Sequence, residues 1–321
     1  MGERRPMNAE LVLHHYAGSP FSEKVRWVLG LKGLRWRSVE VPIVLPKPDV
    51  VALTGGYRRT PFMQIGADVY CDSALICRVL DRLAPDPPLY PPAVRGLAEI
   101  VAQWADASLF WTAVPFTMQP AGVPHIFPDA TPDAVRAFGA DRAAMAPALR
   151  RAPLHDAAAH LHAYLGRLEQ LLAAAQRFLL GAEPSIADVA TAQSIWFVRR
   201  APPVAAHLAG YPMTLAWYGR VAGFGHGESE PMSSGAAIAV AAAAGGFAAA
   251  TLAPDAGFAA GTAVRVVPAD YAFDEVRGTL VGLDGDEVVV ARSDPRAGTV
   301  HVHFPRIGYH VRLDAPKKET P

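Results

Sequence analysis

A chain of 321 residues has length for one to three domains and enough apolar material for sizeable cores. Its 30 basic and 30 acidic side chains balance, which argues against nucleic acid or another large polyanion as partner. The two cysteines, Cys71 and Cys77, fit neither a disulfide framework nor a metal motif. They read as buried free thiols of an intracellular, cytoplasmic protein, and the polar leader Met1–Glu10 carries no secretory signal.

An apolar strand, Leu11-Val12-Leu13, runs into the small-residue turn Tyr16-Ala17-Gly18-Ser19. Ser19 reads as an N-cap and Pro20 as the first helical residue, where proline loses no bond and its φ is already helical. Phe21, Val25, Val28 and Leu29 follow at helical spacing. A strand end, a hydroxyl and free helix N–H groups thus converge on one point, an anion site suited to a thiolate. Further on, Arg59-Thr60-Pro61-Phe62 through Gly66 is an extended stretch with proline near its start, and Asp68–Cys71 is its hairpin partner. Asp72-Ser73 caps a helix whose apolar face is Leu75, Ile76, Val79, Leu80 and Leu83. The order strand, helix, strand, loop, strand, strand, helix is that of a thioredoxin-like α+β domain.

Over residues 11–90 the chain resembles the N-terminal domain of a cytosolic glutathione S-transferase. Ser19-Pro20-Phe21 is similar to the active-site turn of the tau class, where a serine precedes Pro-Phe; the omega class carries cysteine there. Thr60-Pro61 matches the family's cis-proline step, and Asp72-Ser73-Ala74-Leu75-Ile76 its acidic-Ser segment. The resemblance implies glutathione as co-substrate and no metal. Ser19 would donate to the thiol, with Tyr16 as the rival hydroxyl and Ser22 third. Phe21, Thr60 and Pro61 would line the tripeptide, Asp72 and Ser73 would take its γ-glutamyl end, and Arg58 or Arg59 its glycyl carboxylate.

The middle of the chain is helical: Ala93–Thr112, Pro132–Leu149, Leu154–Arg177, Ser185–Arg200 and Met213–Gly223, separated by Pro-rich turns. Ser185 and Asp188 form a capping box, a structural pair that is also similar to the signature of the family's all-helical domain. The resemblance places a pocket for a hydrophobic electrophile near the end of the first long helix, with Tyr16, Phe110, Trp111, Phe116, Met118 and Trp217 as lining candidates. Any one of these aromatics could equally belong to a core. Residues 236–253 are uncharged and as long as the ~17–25 residues a membrane span needs. Their alanine and glycine content favours a helix packed on the protein body instead.

The last sixty residues lie outside the transferase pattern. Thr262–Val267, Glu275–Leu283, Glu287–Arg292, Thr299–Phe304 and Tyr309–Leu313 read as short strands joined by tight turns at Asp284-Gly285 and Asp294-Pro295. They suggest a small SH3-like barrel. From Gly261 onward nine acidic and eight basic residues disfavour phosphate binding. His301 and His303 share one strand face and are too few for a metal site, so they read as part of a half-buried face. The expected organisation is a thioredoxin-like glutathione-binding domain over 11–90, an all-helical domain over 93–252 and a small all-β domain over 261–315. The family pattern adds a homodimer. The leading function is transfer of the glutathione thiolate to a hydrophobic electrophile. Alternatives are a glutathione-dependent reductase, isomerase or dehalogenase, and a non-catalytic adaptor that holds a protein partner.

Overall fold

The computed structural model describes residues 10–147, 152–174 and 177–314. Most of the polar leader, residues 148–149 of the predicted 132–149 helix, residues 175–176 of the next one and residue 315 lie outside the described residues.

The first domain follows the expected order. Strand β1 (Val12–His15) leads into helix α1 (Pro20–Leu31), then β2 (Arg35–Glu40), α2 (Pro48–Thr54), β3 (Phe62–Ile65), β4 (Asp68–Cys71) and α3 (Ser73–Leu83). β1 pairs parallel with β2 and antiparallel with β3, and β3 and β4 form the predicted hairpin. Caps set both helix starts: the Ser19 hydroxyl accepts from the Ser22 N–H of α1, and Asp72 accepts from the Ala74 N–H of α3.

The helical domain opens with α4 (Arg95–Trp104), a π-helical turn (Ala105–Leu109) and α5 (Phe110–Thr117), so the first long helix runs beyond its predicted end. It continues with α6 (Val123–Ile126), α7 (Pro132–Met145), α8 (Leu154–Ala173), α9 (Ile186–Arg199), α10 (Pro202–Ala205) and α11 (Pro212–Ala222). The Ser185–Asp188 capping box forms at the start of α9, with Ser185 N–H donating to Asp188 Oδ2 at 2.8 Å.

The chain then returns to the first domain. It crosses α1 at Gly30, where a Cβ would stand 2.2 Å from the Gly225 carbonyl oxygen, so only glycine permits the passage. β5 (Glu228–Pro231) pairs parallel with β2, and α12 (Ser234–Ala242) packs near α2 and the sheet. This helix is shorter than the predicted 236–253 segment; beyond Ala243 the chain is irregular. Among the described residues no helix is long and apolar enough to cross a membrane.

All five C-terminal strands form: β6 (Ala263–Pro268), β7 (Val276–Leu283), β8 (Glu287–Asp294), β9 (Gly298–Pro305) and β10 (Tyr309–Leu313). They do not stand apart. β9 pairs parallel with β4, Val69 opposite Val302, and joins both units into one ten-stranded sheet of order β10–β6–β7–β8–β9–β4–β3–β1–β2–β5. One core lies between the sheet and the helical domain, built around Leu13, Val28, Leu75 and Ile195. The other runs unbroken from Val12, Phe62 and Val69 through Ile238 to Val288, Val302 and Phe304. Burial of this shared apolar surface ties the C-terminal strands to the first domain.

At the seam His303 is buried between two carboxylates. Its Nε2 lies 3.0 Å from Asp68 Oδ1, and its Nδ1 bonds Glu287 Oε1. Burial alone would lower its pKa, but the bonds to Asp68 and Glu287 outweigh that and raise it. His301 stacks instead on Phe247, ring centroids 3.7 Å apart. Across the first domain His14 and His15 are pushed down to about 4, chiefly by burial, and stay neutral. The two effects oppose each other in pH. The His303 contribution is fully present below the unfolded value of ~6.5 and is lost as pH rises through its higher folded value. The His14 and His15 contributions are lost as pH falls from ~6.5 towards 4, at most about 3 kcal/mol each. Urea unfolding midpoints are therefore expected to peak near neutrality. His303→Asn should lower the unfolding free energy by about 3 kcal/mol, because two carboxylates lose their buried counter-charge, and should abolish the decline of the midpoint on the alkaline side.

Candidate functional site

Two arginines hold the turn between β1 and α1. Arg26, one turn and a half into α1, donates from Nη1 to His15 Nδ1 at 3.0 Å and from Nη2 to the Ala17 carbonyl at 3.0 Å. Glu23 grips the same guanidinium at 2.5 Å and accepts from His226 at 3.0 Å. Burial would raise the Glu23 carboxyl, but His226 and Arg26 together hold it below the usual range. From α9's end, Arg200 donates to the Gly18 carbonyl at 2.9 Å and the Ile126 carbonyl at 3.3 Å. The turn is thus fixed from both domains. Ser19 sits at its tip with its oxygen accepting from Ser22 N–H at 3.2 Å, which leaves its O–H free to donate.

Below the turn, Thr60-Pro61 is a cis peptide, and Asp72 adopts φ 76°, a left-handed value that costs about 1–3 kcal/mol in a non-glycine residue. Ser73 opens α3 beside a buried ion pair: Lys24 Nζ stands 2.5 Å from Asp106 Oδ2 and 3.4 Å from Ser73 Oγ. Gln193 donates to the other Asp106 oxygen at 2.7 Å. Burial pulls the Lys24 pKa down, but Asp106 alongside more than offsets it and the ammonium is held charged. Arg59 reaches Asp270 at 2.5 Å and the Tyr271 carbonyl, with its guanidinium 3.8 Å over the Tyr271 ring. Tyr309 donates to Asp72 Oδ2 at 3.0 Å.

Two cavities adjoin these groups and share Phe21, Arg59, Thr60 and Tyr271 in their walls. The smaller, about 80 Å³, is also bounded by Pro61, Asp72, Ser73, Asp106 and Asp270. The larger, about 620 Å³, starts at Tyr16 and Ser19 and runs between Phe110, Trp111, Met118, Phe127 and Phe138. Lys47, Arg142 and Arg200 enter its wall. A wider trough of about 860 Å³ near Leu45, Val51 and Pro295 shares only Lys47 with the larger cavity.

The match to the glutathione S-transferase N-terminal domain covers residues 13–88, and that to the glutathione S-transferase C-terminal domain covers 97–220. The crystal structure of a GST-like protein from Pseudomonas syringae is 38% identical, covers 95% of this chain and 99% of that one, and superposes with a TM-score of 0.80. The chain belongs to the glutathione S-transferase family. A probable glutathione S-transferase from Solanum tuberosum is 26% identical over 100 residues, 30% of this chain and 46% of that protein. A glutathione transferase from Phanerochaete chrysosporium shares the fold, with 20% identity over 67% of this chain and 97% of its own, TM-score 0.54.

The fold of this glutathione S-transferase family member brings Ser19, Tyr16, Phe21, Phe110, Trp111 and Met118 around the larger cavity, and Arg59, Thr60, Pro61, Asp72 and Ser73 around the smaller one. Phe116 and Trp217 lie elsewhere. Phe116 packs against His162 and His207, and Trp217 is fully buried with Nε1 donating to Asp188 Oδ1 at 2.8 Å. Both are fillers of the helical core. Ser22 Oγ is buried and borders neither cavity. Arg58 is held between Asp141 and Asp274, 2.9 Å from each. Among the described residues no three His, Cys, Asp or Glu side chains gather as a metal site.

Sequence reasoning missed Lys24, Lys47, Asp106, Arg200, Asp270, Tyr271 and Tyr309. Lys24 left a signal: it falls on the apolar stripe of α1, between Phe21 and Val28, where a charge requires a partner. Lys24→Met should destabilise the protein by about 3 kcal/mol, the lower end for a broken buried pair, since Asp106 keeps some solvent contact. The double variant Lys24→Met/Asp106→Leu should recover most of that loss in a urea titration.

Proposed function

We propose that this family member conjugates glutathione to hydrophobic electrophiles, with Ser19 activating the thiol. The observation that carries the reading is the Ser19 hydroxyl in the wall of a largely apolar cavity, its oxygen already accepting and its proton left to donate. The tripeptide would lie along the cis Thr60-Pro61 step, its cysteinyl backbone paired with Thr60. Its γ-glutamyl carboxylate would meet the Ser73 hydroxyl and the first N–H groups of α3, with Lys24 close behind. We assign the glycyl carboxylate to Lys47 rather than to Arg58 or Arg59, because both arginines already hold aspartates. Lys47 is buried, hydrogen-bonded to the Arg58 carbonyl at 3.2 Å, and its pKa is lowered to about 8 by burial and then by Arg142.

A free thiol has a pKa near ~8.5, so a hydrogen bond that favours the anion raises the reactive fraction at neutral pH. The thiolate then attacks an electrophilic carbon held among Phe110, Trp111 and Met118, and the leaving group departs as the new C–S bond forms. A thiol-transfer reaction is less well supported, since it prefers a cysteine nucleophile. Neither cysteine borders the cavities, and burial pushes Cys77 up to about 12 and Cys71 well above its ordinary value. The tau-like character of the turn, a detoxification role in the cytoplasm and the SH3-like character of the last five strands belong to the same reading. A homodimer would have to form without the edge of β4, which β9 covers.

Ser19→Ala should lower kcat/KM towards 1-chloro-2,4-dinitrobenzene by about 10- to 100-fold, the value of one charge-assisted hydrogen bond. Its circular dichroism should match the wild type. Unchanged turnover, with loss in Tyr16→Phe instead, would move the role to Tyr16. KM for glutathione should rise as pH passes about 8, where Lys47 loses its proton. That rise should be absent in Lys47→Met.

A further inference from the structure

Neither family match reaches past residue 220, yet one wall of the smaller cavity is built by Asp270 and Tyr271, on the connection between β6 and β7. That connection is pinned across the site. Arg59 holds Asp270, Arg58 holds Asp274 at 2.9 Å, and Ala272 N–H donates to the Met145 carbonyl at 2.6 Å. It is a built wall rather than a loop passing by.

The charges around the cavity do not cancel. Asp72, Asp106 and Asp270 border it against the single cation Arg59, and Lys24, set behind, already pairs with Asp106. One negative charge therefore faces the space. Asp72 has both oxygens engaged, Oδ1 by the Ala74 N–H at 2.9 Å and Oδ2 by the Tyr309 hydroxyl. Asp270 is gripped through Oδ1, while its Oδ2 has only a 3.5 Å contact to Arg59, and its side chain is 56% exposed. Arg59 itself keeps Nε buried without a partner. The same cavity is bordered by the Ser73 hydroxyl at the start of α3, an acceptor of anions. A carboxylate oxygen held only by a long 3.5 Å contact and an anion-seeking helix start share about 80 Å³, several times the ~10–15 Å³ that one water needs. That pair is complementary to a small zwitterion.

The geometry points to Asp270 as the residue that reads the α-ammonium of the co-substrate's γ-glutamyl head group, so that the C-terminal strands supply one wall of the co-substrate site. The assignment rests on the glutathione reading above. Bound ligand then bridges Ser73 of the first domain and Asp270 of the C-terminal unit.

Calorimetry on the full chain with glutathione and its des-amino analogue, in which hydrogen replaces the γ-glutamyl α-ammonium, tests it. Wild type should bind glutathione about tenfold or more tightly than the analogue. Asp270→Asn should weaken glutathione by about tenfold and leave the analogue's Kd unchanged. Asp270→Glu, which keeps the charge and a partner for Arg59, should restore most of the ratio. Equal losses for both ligands would mean that Asp270 acts only by positioning Arg59, and would overturn the assignment, as would an unaltered glutathione affinity. Binding of neither ligand to the wild type would instead defeat the glutathione reading, and this assignment with it.

Discussion

The pairing of β9 with β4 is the constraint on which the molecule depends. A thioredoxin-like sheet that ended at β4 would leave a row of unpaired N–H and C=O groups at its edge, an open template for association. Here the edge is closed from within the chain. The closure is also charged: Asp68 is fully buried on β4, and its carboxylate accepts the Ala248 N–H at 2.8 Å as well as the His303 ring. A buried carboxylate is tolerated only with such partners. The same docking brings Arg78 and Arg82 of α3 to Asp286 and Glu287, outer contacts that salt screens and that add little. The stabilisation lies in the shared apolar core.

Everything that the C-terminal strands do at the site follows from that docking. With β9 locked on β4, the β6–β7 connection is carried over the end of β3, and Tyr309 arrives above Asp72. The Arg59 guanidinium is then enclosed between an acid and an aromatic face, a setting that suits its planar, weakly hydrated charge better than it would a lysine. On the other side of the cavity, Arg26 and Arg200 perform a different task. They carry hydrogen bonds to carbonyl oxygens of the β1–α1 turn, so their guanidinium groups set its backbone geometry.

What the amino-acid order revealed was local. Ser19-Pro20, Asp72-Ser73 and Ser185–Asp188 each act within one helical turn, and each was legible because a cap needs only its own neighbours. The five C-terminal strands were legible from their alternation, but their place was not. A parallel pair between residues near 70 and near 302 leaves no trace in either segment, since each strand shows only its own alternation of apolar and polar side chains and nothing that names a partner. The histidine pair on β9 shows the same limit: alternation says that His301 and His303 share a face, and nothing nearby says that one meets a phenylalanine and the other two acids. Aromatic residues were the least decidable. Phe110 and Phe116 sit less than two turns apart on α5, and only the packing of neighbouring helices sends one to the cavity and the other to the core.

The architecture couples folding and binding more closely than a catalytic domain with an appendage would. Removing the last strands would do more than expose β4. Arg59 would lose Asp270 and Tyr271, Asp72 would lose the Tyr309 hydroxyl, and Asp68 would lose His303. Each is a charge whose burial is tolerated because of what the C-terminal unit places against it. The first domain's sequence is thus written for a chain that includes those strands: it keeps an aspartate at the first position of β4 and an arginine just before β3, residues that would be liabilities on an uncovered sheet. Because the same docking supplies a wall of the smaller cavity, any ligand held there stabilises the docked arrangement by its own binding free energy. Occupancy of the site and integrity of the sheet seam are then two readings of one equilibrium.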